Sequence, residues 1–258
     1  MHFYKYQGTG NDFVIVDNRA VNHSALTKDI IHKMCDRRFG IGADGFMLLN
    51  NKPGYDFEMV YYNADGREGT MCGNGGRCIV RFAYDIGIHK RSFKFLAVDG
   101  EHLAVVGDDN LISLKMSDVS SIETHWDHSV LNTGSPHYVK KVSGLSALDV
   151  YKEGRSIRYS KEYRHEGINI NFVEPVNNTL LKVRTYERGV EDETFSCGTG
   201  VTAAALVFYH NANGFNSVDI EVIGGRLNVC YTRHADNSYS DIWLKGPAKK
   251  VYEGNITL

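Results

Sequence analysis

Hydrophobic and polar residues alternate in short runs along most of the chain, which is typical of strands. Two segments instead have apolar residues at helical spacing, and each directly follows a Cys-Gly-x-Gly sequence. The apolar positions are Cys78, Ile79, Phe82, Ala83 and Ile86 before Gly87, and Val201, Ala204, Ala205 and Phe208 before Asn213-Gly214. Both segments are predicted to be amphipathic helices that end at glycine. Many short strands around such helices predict an α+β fold.

An earlier and weaker helix is predicted in each half of the chain. The first follows Thr27, a candidate N-cap, and ends before Gly40. Its counterpart is predicted over Leu145–Glu153 and is expected to stop at Gly154. Each half therefore contains the same series of elements.

The chain contains an internal duplication. The segments Cys72-Gly73-Asn74-Gly75 and Cys197-Gly198-Thr199-Gly200 are 125 positions apart, from 72 to 197. The same offset sets the strand at 57–63 against 182–188, with Tyr61 on Tyr186 and Asn63 on Arg188. At an offset of 124, the turn at Thr9-Gly10 falls on Thr133-Gly134.

The duplication predicts two pseudo-symmetric repeated domains, each a curved and mostly antiparallel sheet packed around a central helix. We expect the first to span residues 1–118, with a C-terminal strand at about 249–258 returning to it, and the second to span 119–248. The active site is expected in the cleft between them.

Composition narrows the possible partners. Of 258 residues, 42% are hydrophobic and 23% charged, which excludes disorder as the main state. A net charge of -2 without long basic runs argues against nucleic acid. No apolar stretch approaches the roughly 18–20 residues of a membrane span, and the first residues do not resemble a signal peptide. We therefore expect a cytoplasmic protein without a membrane or nucleic-acid partner, and five cysteines that form no disulfide framework.

The two Cys-Gly-x-Gly segments carry the candidate chemistry. A thiol at a helix start lies beside free backbone N–H groups and the positive end of the helix dipole, which lowers its pKa and favours anions. Two such thiols in related domains can remove a proton from one face of a carbon acid and return one to the other. N–H groups would stabilise the resulting carbanion, so neither a metal nor another cofactor is required. Cys35, Cys78 and Cys230 are interpreted as structural.

Other interpretations of these segments stay open at this point. A cysteine before glycine is often simply buried, although burial does not explain why both copies have one. The glycines could cradle a phosphate, but neither segment has a dinucleotide or P-loop pattern. Polar residues at the nearby strand ends are as consistent with ordinary turns as with function; they are Asn11, Asn63, His137, Asn169, Glu187 and Arg188.

Six motifs together resemble the diaminopimelate epimerase family over essentially the whole chain. They are Gly8-Thr9-Gly10-Asn11-Asp12-Phe13, Asn63-Ala64-Asp65-Gly66-Arg67, Met71-Cys72-Gly73-Asn74-Gly75-Gly76-Arg77-Cys78, Thr133-Gly134-Ser135-Pro136-His137, Glu187-Arg188-Gly189-Val190 and Ser196-Cys197-Gly198-Thr199-Gly200. The resemblance implies two α+β barrels, each around a central helix. It also implies interconversion of LL- and meso-2,6-diaminopimelate without pyridoxal phosphate, a step in lysine and peptidoglycan precursor synthesis.

The resemblance also assigns roles by motif. Cys72 and Cys197 correspond to the two acid/base thiols. Backbone donors to the reacting carboxylate correspond to Gly73, Asn74, Gly198 and Thr199. Asn11, Asn63, Asn169 and Arg188 correspond to substrate-holding residues, with Glu187 and His137 close to the thiols. No metal or cofactor is implied, the partner is the small-molecule substrate, and a homodimer is one option for the oligomeric state.

Two positions depart from some family members: Ser135 stands where Asn is frequent, and Gly45 stands where some members have Gln. In addition, residues 191–193 lengthen the turn before Cys197. A proline or hydroxyproline racemase is the alternative of the same fold. That group usually has His at the position of Asn74 and Asp-Arg-Ser-Pro before the second cysteine, and this chain has neither. A non-catalytic thiol sensor or ligand-binding protein is the alternative of another class.

Overall fold

The computed structural model describes residues 1–20, 26–208 and 213–257. They form two compact units: unit 1 comprises Met1–Leu114 with Gly246–Leu258, and unit 2 comprises Lys115–Lys245. The described strands are β1 His2–Gly8, β2 Asn11–Asp17, β3 Gly45–Asn50, β4 Phe57–Asn63, β5 Ser92–Ala97, β6 Gly100–Val106, β7 Ile112–Lys115, β8 Glu123–Thr124, β9 Ser129–Asn132, β10 Pro136–Lys141, β11 Asn169–Pro175, β12 Leu180–Glu187, β13 Asp192–Thr194, β14 Gly214–Val222, β15 Gly225–Arg233, β16 Tyr239–Gly246 and β17 Lys249–Asn255. The described helices are α1 Lys28–Cys35, α2 Gly73–Asp85, α3 Val150–Arg158 and α4 Gly198–Phe208.

The two units repeat one order of strand pairing. In unit 1 the pairs β1–β2, β3–β4 and β5–β6 are antiparallel, while β2–β3 and β4–β5 are parallel. In unit 2 the pairs β9–β10, β11–β12 and β14–β15 are antiparallel, while β10–β11 and β12–β14 are parallel. Parallel neighbours need a crossover, and each crossover here contains one of the four helices described. The predicted duplication and the α+β class are confirmed.

The last strand of the chain belongs to unit 1. Strand β17 pairs antiparallel with β1, from His2 opposite Asn255 to Gln7 opposite Lys249. The Met1 ammonium also donates to the Ile256 carbonyl at 2.8 Å. Both ends of the described chain are therefore joined by the same sheet.

The sheet of unit 1 is buried on both faces, because successive residues of a strand point in opposite directions. Val14 and Phe46 pack on the side of α1, in a cluster with Ile31 and Met34. As predicted, Thr27 is the N-cap of α1, and its hydroxyl accepts from the Ile30 N–H at 3.3 Å. The other face of the sheet packs on α2, whose first eight residues are all buried.

Glycines let the central helix of unit 1 lie close to that inner face. A Cβ added to Gly75 would meet Met47 Sδ at 3.5 Å and both Met59 and Phe13 at 3.6 Å. Further along the helix, the Phe82 ring lies 4.8 Å from that of Tyr4. Helix α2 ends at Asp85 and is followed by Gly87 at φ 102°, where a glycine end was predicted.

In unit 2, the outer helix differs from its prediction. Helix α3 spans Val150–Arg158, after a short 3-10 turn at Leu145–Ala147, so it continues through Gly154. A Cβ at Gly154 would lie 2.4 Å from the Cβ of Tyr186 on β12. Gly154 therefore permits close helix-to-sheet packing and does not end the helix.

The prediction of an amphipathic second central helix is also wrong. Residues Val201–Leu206 of α4 are all 0% exposed, including the polar Thr202. Small side chains let this helix be enclosed on every side. The predicted helix end near Asn213 adjoins residues 209–212, which lie outside the described residues, as does the side chain of Phe208.

The predicted correspondence between residues of β4 and residues of β12 is wrong by one position. Tyr62 packs in the α1 cluster and Tyr186 in the α3 cluster, whereas Thr185 points inward and donates to Asn171 at 3.0 Å. A shift of one residue exchanges the two faces of a strand. The offset for β4 is therefore 124, which sets Tyr62 on Tyr186 and Asn63 on Glu187 rather than on Arg188.

Among the described residues, no helix is long and apolar enough to cross a bilayer.

Candidate active site

Cys72 is the N-cap of α2. Its backbone is extended, at φ -94° and ψ 132°, and its carbonyl accepts the N–H of Gly76 at 2.7 Å. The thiol does not cap the helix; it lies 3.6 Å from Asn11 Oδ1, to which it donates. The first N–H groups of a helix have no partner within the helix and lie at its positive end. A partly exposed thiol is thus held next to the anion-stabilising end of α2.

Three of the predicted site residues of unit 1 are joined by hydrogen bonds. Asn74 Nδ2 donates to Asn11 Oδ1 at 3.3 Å, the same oxygen that accepts from Cys72. Asn11 Nδ2 in turn donates to Asp44 Oδ2 at 2.7 Å. Sequence reasoning missed Asp44, which stands in none of the six motifs. Arg37 also bonds Asp44, at 2.7 Å.

Asn63 is exposed at the end of β4, and its position follows from the register of the sheet. Asn63 pairs with Gly45 of β3, and Gly45 pairs with Phe13 of β2. Asn63 therefore lies at the same end of the sheet as Asn11, which begins β2. Its backbone closes a turn, donating to the Arg67 carbonyl at 2.9 Å.

The departure at Gly45 has a local cause. A Cβ at this position would lie 2.6 Å from Tyr61 Cε2 and 2.8 Å from the Tyr61 hydroxyl. The Tyr61 ring therefore takes the space that a side chain at position 45 would need. Any larger residue there requires the ring to move.

Cys197 occupies the equivalent place in unit 2. Its carbonyl accepts the Val201 N–H at 2.9 Å, so it begins α4 as Cys72 begins α2. The thiol is 7% exposed by residue and lies 3.6 Å from Thr199 Oγ1. The Thr199 carbonyl accepts from Thr133 Oγ1 at 2.8 Å, which joins the helix start to the turn before β10.

A buried polar network lies beneath the second helix start. A Cβ at Gly200 would lie only 2.3 Å from Asn171 Oδ1 and 3.3 Å from Cys197 Sγ. Asn171 is fully buried and donates to the Tyr138 carbonyl at 3.1 Å. Sequence reasoning missed Asn171; its signal was an inward position in the apolar strand, two residues after Asn169.

His137 belongs to this network as a neutral imidazole. Burial, and then the positive charge of Arg188, lowers the pKa of His137 to about 3. Its Nδ1 lies 3.1 Å from Asn171 Nδ2 and accepts from it, so the ring proton is on Nε2. Nε2 is buried and has no hydrogen-bond partner among the residues described. At neutral pH this ring supplies a dipole and no charge.

A second cluster in unit 2 joins three strand ends. The Arg188 backbone N–H donates to Asn169 Oδ1 at 2.9 Å, and Asn169 Nδ2 donates to Ser135 Oγ at 2.9 Å. The Arg188 guanidinium reaches the same hydroxyl at 3.3 Å and the Glu166 carbonyl at 3.1 Å. Ser135, one of the departures, therefore orients both predicted substrate residues.

Glu187 and the longer turn after it are also fixed locally. Glu187 Oε2 accepts from Thr194 Oγ1 at 2.9 Å. In the turn, Glu191 adopts φ 58° and pairs with Arg158 at 3.2 Å, while Glu193 makes two hydrogen bonds to Arg184, at 2.6 and 2.7 Å. Residues 192 and 193 of this turn thus belong to the sheet, as the start of β13.

The described structure contains no disulfide between cysteines. No group of three or more His, Cys, Asp or Glu side chains suited to a metal ion occurs in the described part of the chain.

Known proteins resemble this chain in both sequence and fold. The family model described as diaminopimelate epimerase matches residues 3–122 and 129–251. A diaminopimelate epimerase of Flavobacterium psychrophilum is 49% identical, covering 99% of this chain and 100% of its own, and one of Chlorobaculum tepidum is 43% identical, covering 97% and 99%.

Solved structures share the fold at much lower identity. A PhzF-family phenazine biosynthesis protein of Bacillus anthracis has a TM-score of 0.79 at 15% identity, over 100% of this chain and 99% of its own. A hydroxyproline epimerase of Agrobacterium vitis has a TM-score of 0.70 at 13% identity, over 98% and 91%. These similarities confirm the α+β architecture of two related domains.

Proposed function

The chain belongs to the diaminopimelate epimerase family, and we propose that it interconverts LL- and meso-2,6-diaminopimelate with Cys72 and Cys197 as its two acid/base groups. The observation that carries this proposal is the position of both thiols, each at the N-terminus of the central helix of its unit. Such positions favour a thiolate and an anionic ligand together. The reaction is an isomerisation within lysine and peptidoglycan precursor synthesis.

In the proposed mechanism, one cysteine is a thiolate and the other a thiol. The thiolate takes the α-proton, and the C–H electron pair moves into the adjacent carboxylate to give an enediolate-like anion. The thiol then gives its proton to the opposite face of the same carbon. Backbone N–H groups of Gly73, Asn74, Gly198 and Thr199 are proposed to stabilise the anion, because preorganised donors cost no reorganisation as charge develops.

We propose that the distal end of the substrate is bound by Arg188 and Asn169, together with Asn11 and Asn63. The Arg188 guanidinium is oriented by Ser135 and the Glu166 carbonyl, which supports a carboxylate clamp. Glu187 is proposed to bind an ammonium group or to influence the nearby thiol. His137, as a neutral donor, is proposed to help orient the Cys197 end without adding charge.

The decisive experiment follows hydrogen exchange with purified protein in deuterated water and no added cofactor. LL-diaminopimelate and L-proline are tested side by side. Early product from LL-diaminopimelate should carry deuterium at the epimerised carbon, while unreacted substrate stays mostly protiated. Exchange on proline alone would favour the racemase alternative, and exchange on neither would favour a non-catalytic role. Return of the original protium into product would contradict two separate bases.

We also propose a location and an assembly for the protein. A cytoplasmic location is proposed because five cysteines, an odd number, argue against a disulfide framework. A homodimer is proposed as the assembly and is tested by sedimentation at several protein concentrations.

A further inference from the structure

Arg77 is the largest fully buried side chain among the residues described. It lies on α2, one turn after the helix start. Its guanidinium donates to the Gly73 carbonyl at 3.3 Å, to Asn74 Oδ1 at 2.9 Å and to Thr9 Oγ1 at 3.0 Å. All three acceptors are neutral. A buried guanidinium without a carboxylate is unusual, because buried charges are normally paired.

The titratable groups that interact with the charge of Arg77 are thiols. Burial lowers the pKa of Arg77, but a guanidinium remains protonated in proteins. The titratable groups that favour its charge are Cys78 and Cys72. Burial raises the pKa of Cys78 to about 12, so that thiol stays neutral near pH 7. Cys72 is therefore the one of the two that can ionise beside this cation.

Other charged groups near Cys72 and its amide partners are already neutralised. Asp12 forms ion pairs with Lys5 at 2.8 Å and Arg37 at 2.7 Å, and Asp44 pairs with the same Arg37 at 2.7 Å. These pairs hold the pKa of Asp12 well below its usual range. Arg77 is thus the charge in this cluster that has no opposite partner in the described part of the chain.

The fold itself does not require a cation at this position. The equivalent residue of α4, 125 positions later, is Thr202. Thr202 is also fully buried, and its hydroxyl donates to the Gly198 carbonyl at 2.9 Å, as Arg77 donates to the Gly73 carbonyl. A small neutral side chain therefore satisfies the same carbonyl in the sister unit.

We propose that Arg77 is a positioning residue that stabilises the Cys72 thiolate and orients the Asn74 and Asn11 amides beside it, making Cys72 the more acidic of the two reactive thiols. The proposal rests on the function proposed above and extends it. By holding Asn74 Oδ1, Arg77 directs Asn74 Nδ2 toward Asn11 Oδ1. Asp44 holds the other end of the Asn11 amide.

This arrangement serves both protonation states of Cys72. The thiol can donate to Asn11 Oδ1, as in the structure. The thiolate instead gains the helix N–H groups and the Arg77 charge. The thiol of Cys197, by contrast, lies 3.6 Å from the neutral hydroxyl of Thr199, and the position on α4 that corresponds to Arg77 holds the neutral Thr202.

The test measures thiol ionisation without any substrate. Iodoacetamide labelling rates of Cys72 and Cys197 are followed by peptide mass spectrometry between pH 5 and 10. In the unmodified protein the labelling midpoint of Cys72 should lie below that of Cys197. In Arg77→Met it should rise by about one to two pH units, the size expected for removing a charge roughly 6–12 Å away at an effective dielectric constant near 20. The Cys197 midpoint should not change.

Two further variants separate charge from shape. Arg77→Lys keeps the charge and should restore most of the Cys72 midpoint. It should still lower epimerase activity, because a lysine lacks the planar fork that bonds Gly73, Asn74 and Thr9 together. Thr202→Val is the matched control on α4 and should leave the Cys72 midpoint unchanged. Circular dichroism verifies that each variant is folded.

An unchanged Cys72 midpoint in folded Arg77→Met, or equal shifts of both cysteines, overturns the proposal. If Arg77→Met does not fold, the unmodified protein decides: a Cys72 midpoint at or above that of Cys197 overturns it. Labelling needs no turnover, so these results do not depend on the deuterium experiment. Exchange into diaminopimelate with an unchanged midpoint would reject the role of Arg77 and retain the proposed function.

Discussion

The two central helices have the same backbone setting but opposite distributions of polarity. In unit 1 the sheet face that packs on α2 is apolar, and the helix carries a buried cation. In unit 2 the corresponding sheet face has buried polar residues near the start of α4, and the buried helix residues carry no charge. The sheet residues that correspond at an offset of 124 are Phe13 with His137, Met47 with Asn171, and Tyr61 with Thr185.

The difference shows what duplication conserves. Strand order, parallel and antiparallel pairing, and the position of each thiol are the same in both units. The buried polar side chains near the thiol lie on the helix in unit 1 and on the sheet in unit 2. In both units they form hydrogen bonds, as buried polar groups generally do. One repeat can therefore present two chemically different thiols without altering its backbone.

The largest effect should come from removing either thiol. Serine is too weak an acid and base near neutral pH to replace cysteine. Cys72→Ser and Cys197→Ser should each lower kcat/KM for epimerisation by about 10²- to 10⁴-fold, whereas Cys230→Ser serves as a control and should stay near the unmodified value. Initial rates on LL-diaminopimelate measure this. Full activity in one of the two variants would show that the units do not contribute equivalent groups.

The next effect concerns the strand ends, where unit 2 carries charges and unit 1 does not. Asn63-Ala64 corresponds to Glu187-Arg188 in the corrected register. Arg188 is exposed in the structure, and the carboxylate that it is proposed to bind would cover it. Removing one partner of a buried charge pair costs ~2–5 kcal/mol, so Arg188→Ala should be nearly inactive on diaminopimelate. Arg226→Ala, an exposed arginine of β15 that lies 3.7 Å from Glu221, is the control. Near-normal kcat/KM for Arg188→Ala would remove it from the proposed substrate site.

Sequence patterns were sufficient for the parts of the molecule that repeat. Cys-Gly-x-Gly and the spacing around it predicted two units, their α+β class and the beginning of both central helices. Sequence patterns were insufficient where contacts between distant residues determine the local structure. Gly154 has the pattern of a helix end, but Tyr186 makes it a packing position. The one-residue register error at β4 arose because spacing to the cysteine ignores the longer turn at 191–193.

Buried polar partners were the least predictable feature of the site. Asn171 has no signal beyond an inward position on a strand, and Arg77 stands in a motif that assigns it no role. Their roles depend on which residues the other elements bring to them: Thr185 and His137 in one unit, Asn74 and Thr9 in the other. The short motifs that carry the resemblance could not show these cross-element contacts.

A third prediction uses the pair Phe13 and His137. The pKa of His137 is about 3 when folded and near 6.5 when unfolded, so the unfolded chain binds the extra proton. The contribution of His137 to stability is therefore complete above pH 6.5 and is lost as pH falls toward 3. The free energy of unfolding should decrease by up to about 1.4 kcal/mol per pH unit in that window. Urea unfolding across pH 4–7 should show a shallower slope in His137→Phe, and an unchanged slope would contradict the assignment.

The smallest predicted effect compares Gly75 with Gly200, which correspond at an offset of 125. An alanine Cβ at Gly75 would make ordinary contacts with Met47, Met59 and Phe13 at 3.5–3.6 Å. Alanine also favours a helix over glycine by up to ~1 kcal/mol. Gly75→Ala should therefore leave stability unchanged or raise it slightly.

The same substitution in unit 2 should have the opposite sign. At Gly200 the added Cβ would lie 2.3 Å from Asn171 Oδ1, and Asn171 cannot easily move because its amide is bonded to His137, Tyr138 and Thr185. Overpacking of this kind costs ~1–3 kcal/mol, so Gly200→Ala should lower the free energy of unfolding. Urea unfolding of both variants at pH 7 measures the difference. Equal effects would mean that the polar network beneath α4 yields as readily as the methionines beneath α2, and that the contrast between the two packing interfaces does not extend to their rigidity.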